Sequence, residues 1–186
     1  PPAPPAPRPR TPSPPTPPAR CLTRLIVPGT AGVSFVRRVR SAPASLLVVE
    51  GRPYLLYVGD GSARQLKKAG FAATDIGHVF FTHLHIDHTA GLAPLMAFNW
   101  VSGKRQVMQI YGPPGTSELA RKAADYLTIP AEIHGVVLPP HPALAKMVEP
   151  HDPDVDPEKL GFEADKGRVF AVAHRRGERH AEGLAG

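Results

Sequence analysis

A single cysteine, Cys21, stands in 186 residues, so no disulfide can close within the chain. The composition fits a reducing compartment, and a cytoplasmic location is expected. No His and Asp flank Cys21 in an arrangement that would activate a thiol nucleophile. No run approaches the roughly 18 apolar residues of a membrane span, which argues against a membrane partner. The N-terminus has no apolar segment behind its arginines, so it does not read as a secretory signal. It also does not begin with Met, and the chain reads as a fragment, a processed form or a conceptual translation. Acidic residues are absent from the first 20 positions, where Arg8, Arg10 and Arg20 supply +3 of the +6 formal charge. The remainder, +6 less +3, is too dilute to argue for nucleic acid, which usually needs a concentrated basic stripe. Arg37, Arg38 and Arg40 are the one local cluster, and a solvated loop or edge is the preferred reading.

Proline is abundant instead. Of 24 prolines, 11 fall within residues 1–18. Proline cannot donate a backbone hydrogen bond, and this stretch has nothing large and apolar to bury, so an extended or disordered tail is expected over residues 1–20. A passive tail is preferred over a ligand for an SH3-type domain. The whole chain is 42% hydrophobic, enough for one domain with a sizeable core. That domain is placed at 21–173, with an irregular tail at 174–186.

Leu22–Val27 reads as a short strand. Ser45–Glu50 and Pro53–Val58 are β-rich runs joined through Gly51-Arg52, a hairpin signal. Ser62–Ala69 reads as a helix anchored by Leu66 and stopped by Gly70. Asp75–Thr82 holds the buried-strand pattern His78-Val79-Phe80-Phe81, followed by a polar turn over His83–Gly91. Leu92–Trp100 reads as a helix with Pro94 in its first turn, and core packing is expected of Phe98 and Trp100. Gln106–Tyr111 is a further strand. Thr116 or Ser117 should cap a helix running to about Leu127, with Leu119, Ala123 and Tyr126 at helical spacing. Residues 130–160 show no element, and Arg168–Ala173 is a last strand candidate. The alternation predicts an α/β sheet layered with helices.

The chemistry concentrates in Phe81-Thr82-His83-Leu84-His85-Ile86-Asp87-His88, with three imidazoles and a carboxylate inside six positions. Zinc takes imidazole nitrogen and carboxylate oxygen. A buried strand leads straight into the cluster, placing it at a strand's carboxyl end, where open α/β sheets put their sites. In an extended segment His83 and His85 share a side. A turn after Ile86 brings Asp87 and His88 to a neighbouring position, so one or two ions fit. Burying four such groups without a cation is costly.

His83-x-His85-x-Asp87-His88 resembles the HxHxDH signature of the metallo-β-lactamase superfamily. The runs Leu25–Gly32, Gly59–Leu66 and Tyr111–Thr116 resemble its ribonuclease Z-like branch. The resemblance covers roughly residues 22–127 and extends more weakly to 173. It implies an αββα sandwich whose N-terminal half is well represented and whose second half is incomplete. It further implies that His83 and His85 hold a first zinc ion and Asp87 and His88 a second, with Asp87 also orienting the attacking water. His174 resembles a third ligand of the first metal. The implied activity is that of a zinc-dependent hydrolase, cleaving an ester- or lactone-like small molecule or a phosphodiester. The alternatives are a transfer-RNA 3′-processing endonuclease of the ribonuclease Z type, with RNA as partner, or a truncated and inactive member. Half a sandwich would leave an apolar sheet face that a second copy can cover, as a homodimer. The pattern departs from the family at Tyr57, where an Asp normally supports the metal-site loops. The bridging Asp and last His of the family have no counterpart that can be placed.

Gly112-Pro113-Pro114-Gly115-Thr116 superficially resembles a phosphate loop, but Ser117-Glu118 follow where Lys is needed, so it reads as a turn before a capped helix. His134, His141, His151, Asp152, Asp154 and Asp156 read as a solvated loop rather than a second metal cluster.

Overall fold

In a computed structural model of the chain, the described residues are 23–32, 35, 37–103, 106–136 and 142–152, together with the backbone of 161–164 and 167–170. The expected tails at 1–20 and 174–186 lie outside them, as does His174.

Six strands form one mixed sheet in sequence order: β1 (Thr23–Gly29), β2 (Ala44–Val49), β3 (Arg52–Leu56), β4 (His78–Phe80), β5 (Met108–Tyr111) and β6 (Val148–His151). β1–β2–β3 is antiparallel, and β3 through β6 are parallel. Among the described residues five α-helices intervene: α1 (Ser62–Lys68), α2 (Ile86–Thr89), α3 (Leu92–Val101), α4 (Thr116–Tyr126) and α5 (Thr128–Gly135). A separate antiparallel hairpin joins β7 (Gly161–Ala164) to β8 (Gly167–Phe170).

The β2–β3 turn lies one residue earlier than the sequence suggests. Glu50 and Gly51 are its two central residues, with φ of 49° and 82°. Two successive positive values define the tight turn that matches strand twist. Period-two alternation then sorts the sheet. Leu46, Val48, Leu55, Val79, Met108 and Ile110 are buried on one face, in one core with Leu66 of α1, Leu92, Leu95, Met96 and Trp100 of α3, and Ala120 and Ala124 of α4. On the other face Leu56, Phe80, Tyr111 and His151 line up across four strands, all half-buried. Phe80 stacks on Tyr111 and Tyr111 on His151, with ring centroids 5.1 and 4.5 Å apart.

Leu66 and Trp100 take their expected core places, and the Trp100 indole N–H donates to the Pro142 carbonyl at 2.8 Å. Phe98 does not pack in the core and is 55% exposed. The buried stripe of α3 runs through positions 92, 95, 96, 99 and 100, and Phe98 falls on its far side. Tyr126 is exposed for the same reason, because α4 buries Thr116, Ala120 and Ala124. Residues 130–160 are less irregular than expected: α5 runs into this stretch, and a 3₁₀ turn at Leu144–Lys146 and β6 lie within it.

Among the described residues, no helix is long and apolar enough to cross a membrane.

Candidate metal centre

The four parallel strands end on one edge of the sheet, and the segments after them are laced together by main-chain bonds. The Tyr57 N–H donates to the Phe80 carbonyl at 3.0 Å and Phe81 N–H to Tyr111 at 2.8 Å. Val58 N–H donates to His88 and Gly91 N–H to Val58, both at 2.8 Å. The segment 81–91 is thus held against the end of β3 at two points. The approach is so close that a Cβ on Gly59 would lie 2.4 Å from the Asp87 carbonyl oxygen, and one on Gly91 2.3 Å from that of Gly59. Below, the Ser62 hydroxyl donates to the Gly59 carbonyl at 2.7 Å, and the Gln65 amide donates to the Ser41 hydroxyl at 2.8 Å. The sequence run Gly59–Leu66 is therefore the support under the site.

Within this frame the chain stays extended through His85, whose ψ is 148°, and then turns into α2. The segment expected to be only a turn contains this four-residue helix, closed by His88 N–H and the Thr89 hydroxyl, both donating to the His85 carbonyl. The result gathers the rings. His83 lies with its centroid 4.6 Å from His85, edge-on, and 4.3 Å from His88. The Asp87 carboxylate reaches to 3.1 Å from His88 Nδ1, and these side chains are 9% and 17% exposed. That contact is an ion-pair distance without hydrogen-bond alignment. Burial pushes the Asp87 carboxyl up, but His88, then the Asp87 main-chain N–H, then His85 outweigh it and lower the carboxyl below its ordinary value.

Two imidazoles sharing a tetrahedral zinc at about 2.1 Å would have centroids roughly 5 Å apart, so the observed spacings lie close to that requirement. Among the described residues, no three His, Cys, Asp or Glu side chains are already disposed around one point as an ion would hold them. The donor chemistry, three imidazoles and a carboxylate on one short segment, fits a divalent ion.

Two residues at this site were not singled out as partners from sequence. Tyr57 directs its hydroxyl to Thr82 Oγ1 at 2.8 Å, and Thr82 Oγ1 lies 3.0 Å from His83 Nδ1. The Tyr57 ring stands edge-on to His88, 4.5 Å between centroids. No motif signals this pairing, because positions 57 and 82 meet only through the β3–β4 pairing.

The neighbouring loop is closed differently from expectation. Neither Thr116 nor Ser117 caps α4, and the Thr116 hydroxyl instead donates to Pro113. The cap is remote: the Asp152 carboxylate accepts from Gly115 N–H at 3.1 Å and from Ser117 N–H at 2.7 Å. An acid at a helix N-terminus also meets the positive end of its dipole. His151 bonds Gln109 at 2.6 Å, and His134 lies 3.0 Å from the Pro130 carbonyl within α5. His134 thus lies on a helix and His151 on a strand rather than in the solvated loop expected of them, no second metal cluster forms among the described residues, and His141, Asp154 and Asp156 lie outside these.

Residues 58–182 match the family described as the beta-lactamase superfamily domain. A ribonuclease Z of Methanosarcina acetivorans is 32% identical over 121 residues, 64% of this chain and 39% of the relative. The crystal structure of human tRNase Z, short form, superposes with a TM-score of 0.50 at 32% identity, covering 55% of this chain and 38% of that one. The metallo-beta-lactamase fold protein YhfI of Bacillus subtilis gives a TM-score of 0.54 at 18% identity over 77% of this chain and 50% of that one, a likeness of fold alone. The chain spans about two-fifths of the length of the curated Methanosarcina acetivorans ribonuclease Z.

Proposed function

Because this chain belongs to the β-lactamase superfamily of metallo-β-lactamase-fold hydrolases, in its ribonuclease Z-like branch, we propose that it carries the primary metal-binding cluster of a transfer-RNA 3′-processing endonuclease. The observation that supports this most directly is the gathering of His83, His85, Asp87 and His88 at the carboxyl end of β4. The relatives' names favour RNA over the ester or lactone substrate that the signature alone suggests.

His83 and His85 would hold a zinc ion from the extended segment, and Asp87 and His88 a second from α2, with His174 a further candidate ligand. A divalent ion held there supplies Lewis-acid polarisation and hydroxide at neutral pH. The chain's own part is positioning. Asp87, a carboxylate at neutral pH whose pKa is lowered further beside His88 and His85, is an acceptor that orients a water's proton. The β1–β2 loop offers a place for the nucleic-acid backbone. Arg37, Arg38 and Arg40 are all exposed, and the loop's base adjoins the site through Ala42 N–H to Asp60 at 3.2 Å and Gly59 N–H to Pro43 at 3.0 Å. Three exposed arginines on this loop suit phosphate contacts.

The test is cleavage of a 3′-extended precursor transfer RNA by the zinc- or manganese-loaded chain, beside a lactone and a bis-nitrophenyl phosphate. Trailer removal that disappears in Asp87→Ala is the expected result. Lactone turnover with the precursor left intact would return the small-molecule reading. Bound metal without any turnover would leave an inactive member of the family.

A further inference from the structure

Tyr57 sits where the β3 strand ends, with φ at 64°, a left-handed conformation that is strained for a non-glycine residue. The turn breaks the strand's alternation. Leu55 and Val58, three apart, are both fully buried, and Tyr57 is left half-buried on the rim. Its N–H is fixed on Phe80, and the next residue is fixed on His88 and Gly91. The strained residue is therefore held firmly, and its side chain touches the candidate centre twice. Its hydroxyl meets Thr82 Oγ1 at 2.8 Å, and its ring edge meets His88.

The continuation from Thr82 Oγ1 to His83 Nδ1 at 3.0 Å gives a three-member chain, phenol to hydroxyl to imidazole. A neutral imidazole binds a cation through the nitrogen that carries no proton, and the other nitrogen usually donates to a fixed acceptor. The chain can run in two directions. If Thr82 donates to His83, the proton sits on Nε2 and blocks that nitrogen. If His83 Nδ1–H donates to Thr82, the threonine hydroxyl passes its own proton on to the Tyr57 oxygen, and Nε2 is open. The arrangements in which His83 Nδ1–H donates to Thr82 are the ones compatible with a cation at Nε2, and an acceptor held beyond Thr82, taking the threonine proton, favours them. Tyr57 provides it.

We infer that Tyr57 is a positioning residue for the candidate metal centre, fixing through Thr82 the Nδ1–H tautomer and ring orientation of His83. This takes the place of a carboxylate by a different route, a phenol acting through a threonine. The inference rests on the metal-binding reading for its purpose, but its tautomer consequence exists in the metal-free chain.

The experiment reads both separately. Ring nitrogen shifts of His83 are measured by NMR on the metal-free full chain at about pH 8.5, well above the ordinary imidazole pKa. Zinc affinity is measured by competition with a chromophoric chelator. Wild type should show the Nδ1–H form of His83. Tyr57→Phe and Thr82→Val should each move it toward Nε2–H and weaken zinc about 10- to 100-fold, the double variant being no worse than Thr82→Val alone. Thr82→Ser, which keeps the hydroxyl, should behave as wild type and shows that the effect is not general damage. An unchanged tautomer and affinity in folded Tyr57→Phe would overturn the inference. So would a shift in Thr82→Val that Tyr57→Phe does not share. If wild type binds no zinc while the tautomer shifts as stated, the metal reading fails and the positioning of His83 stands.

Discussion

Gly91→Ala should damage the site without touching any ligand. Gly91 has φ −88°, so alanine suffers no backbone penalty there. The obstacle is space. The new methyl would lie 2.3 Å from the Gly59 carbonyl oxygen and 3.0 Å from that of Val58. Both neighbours are main-chain atoms, so the segment 81–91 must retreat by roughly 1 Å to reach ordinary contact. Overpacking of this kind costs typically about 1–3 kcal/mol. With a urea slope of about 2 kcal/mol/M, the midpoint should fall by about 0.5–1.5 M. The retreat also strains the Gly91-to-Val58 and Val58-to-His88 bonds, both 2.8 Å, and these set where α2 begins. Zinc affinity should therefore fall at least tenfold. Gly135→Ala is the control: nothing lies within 4 Å of its added methyl, and it sits at a helix end. It should leave zinc binding unchanged and stability equal or slightly raised. Wild-type midpoint and affinity in Gly91→Ala would refute the claim that segment 81–91 is fixed by close packing on β3.

Burial first, then Arg52 and His151, lower the His78 pKa below the ordinary 6.5. Below that pH the unfolded chain takes up the proton more readily than the folded one. Stability should therefore fall as pH drops from 6.5 toward the lowered folded value, and His78→Asn should show a flatter urea-midpoint profile across that window. An equal slope in both would refute it. Replacing Arg37, Arg38 and Arg40 together by Ala should weaken precursor RNA binding and reduce the salt dependence by up to about three phosphate contacts, measured by fluorescence anisotropy against salt. An unchanged slope would remove the loop from the RNA path. The half-buried row Leu56, Phe80, Tyr111 and His151 is proposed as a dimer face. Light scattering should give a dimer that Phe80→Asp returns to monomer, and a monomeric wild type would dispose of this idea.

What the sequence disclosed follows from how local the physics is. The core positions of β2 to β5 obey period two, and the HxHxDH run occupies one strand end, so both are legible without neighbours. The departures come from contacts remote in sequence. The α4 cap comes from Asp152, and no local signal around Thr116 or Ser117 reveals that a carboxylate just after β6 will satisfy the Gly115 and Ser117 amides. Phe98 and Tyr126 have the right residue type but the wrong angle, and only a count of the whole buried stripe separates them from Trp100. Tyr57 departs from the family pattern in the sequence, yet its hydroxyl reaches Thr82 only because β3 and β4 are parallel neighbours.

The lacing of the strand ends separates the stability of the scaffold from the occupancy of the centre. Segment 81–91 is tied down by main-chain bonds to Val58 and by the packing of Gly59 and Gly91. His85 is exposed and contributes a ring, not a main-chain tie that alanine would remove. His85→Ala should therefore change the metal-free stability by no more than about 0.5 kcal/mol. Zinc at 100 times its dissociation constant stabilises a chain that binds it only when folded by about 2.7 kcal/mol. For a chain of this size that is a rise in Tm of about 5–11 °C. The wild type should show the rise in a thermal scan, and His85→Ala should lose most of it while melting like wild type without zinc. A full zinc-induced rise in His85→Ala would take His85 out of the ligand set. No rise in wild type would mean that the rings gathered after β4 do not hold the ion.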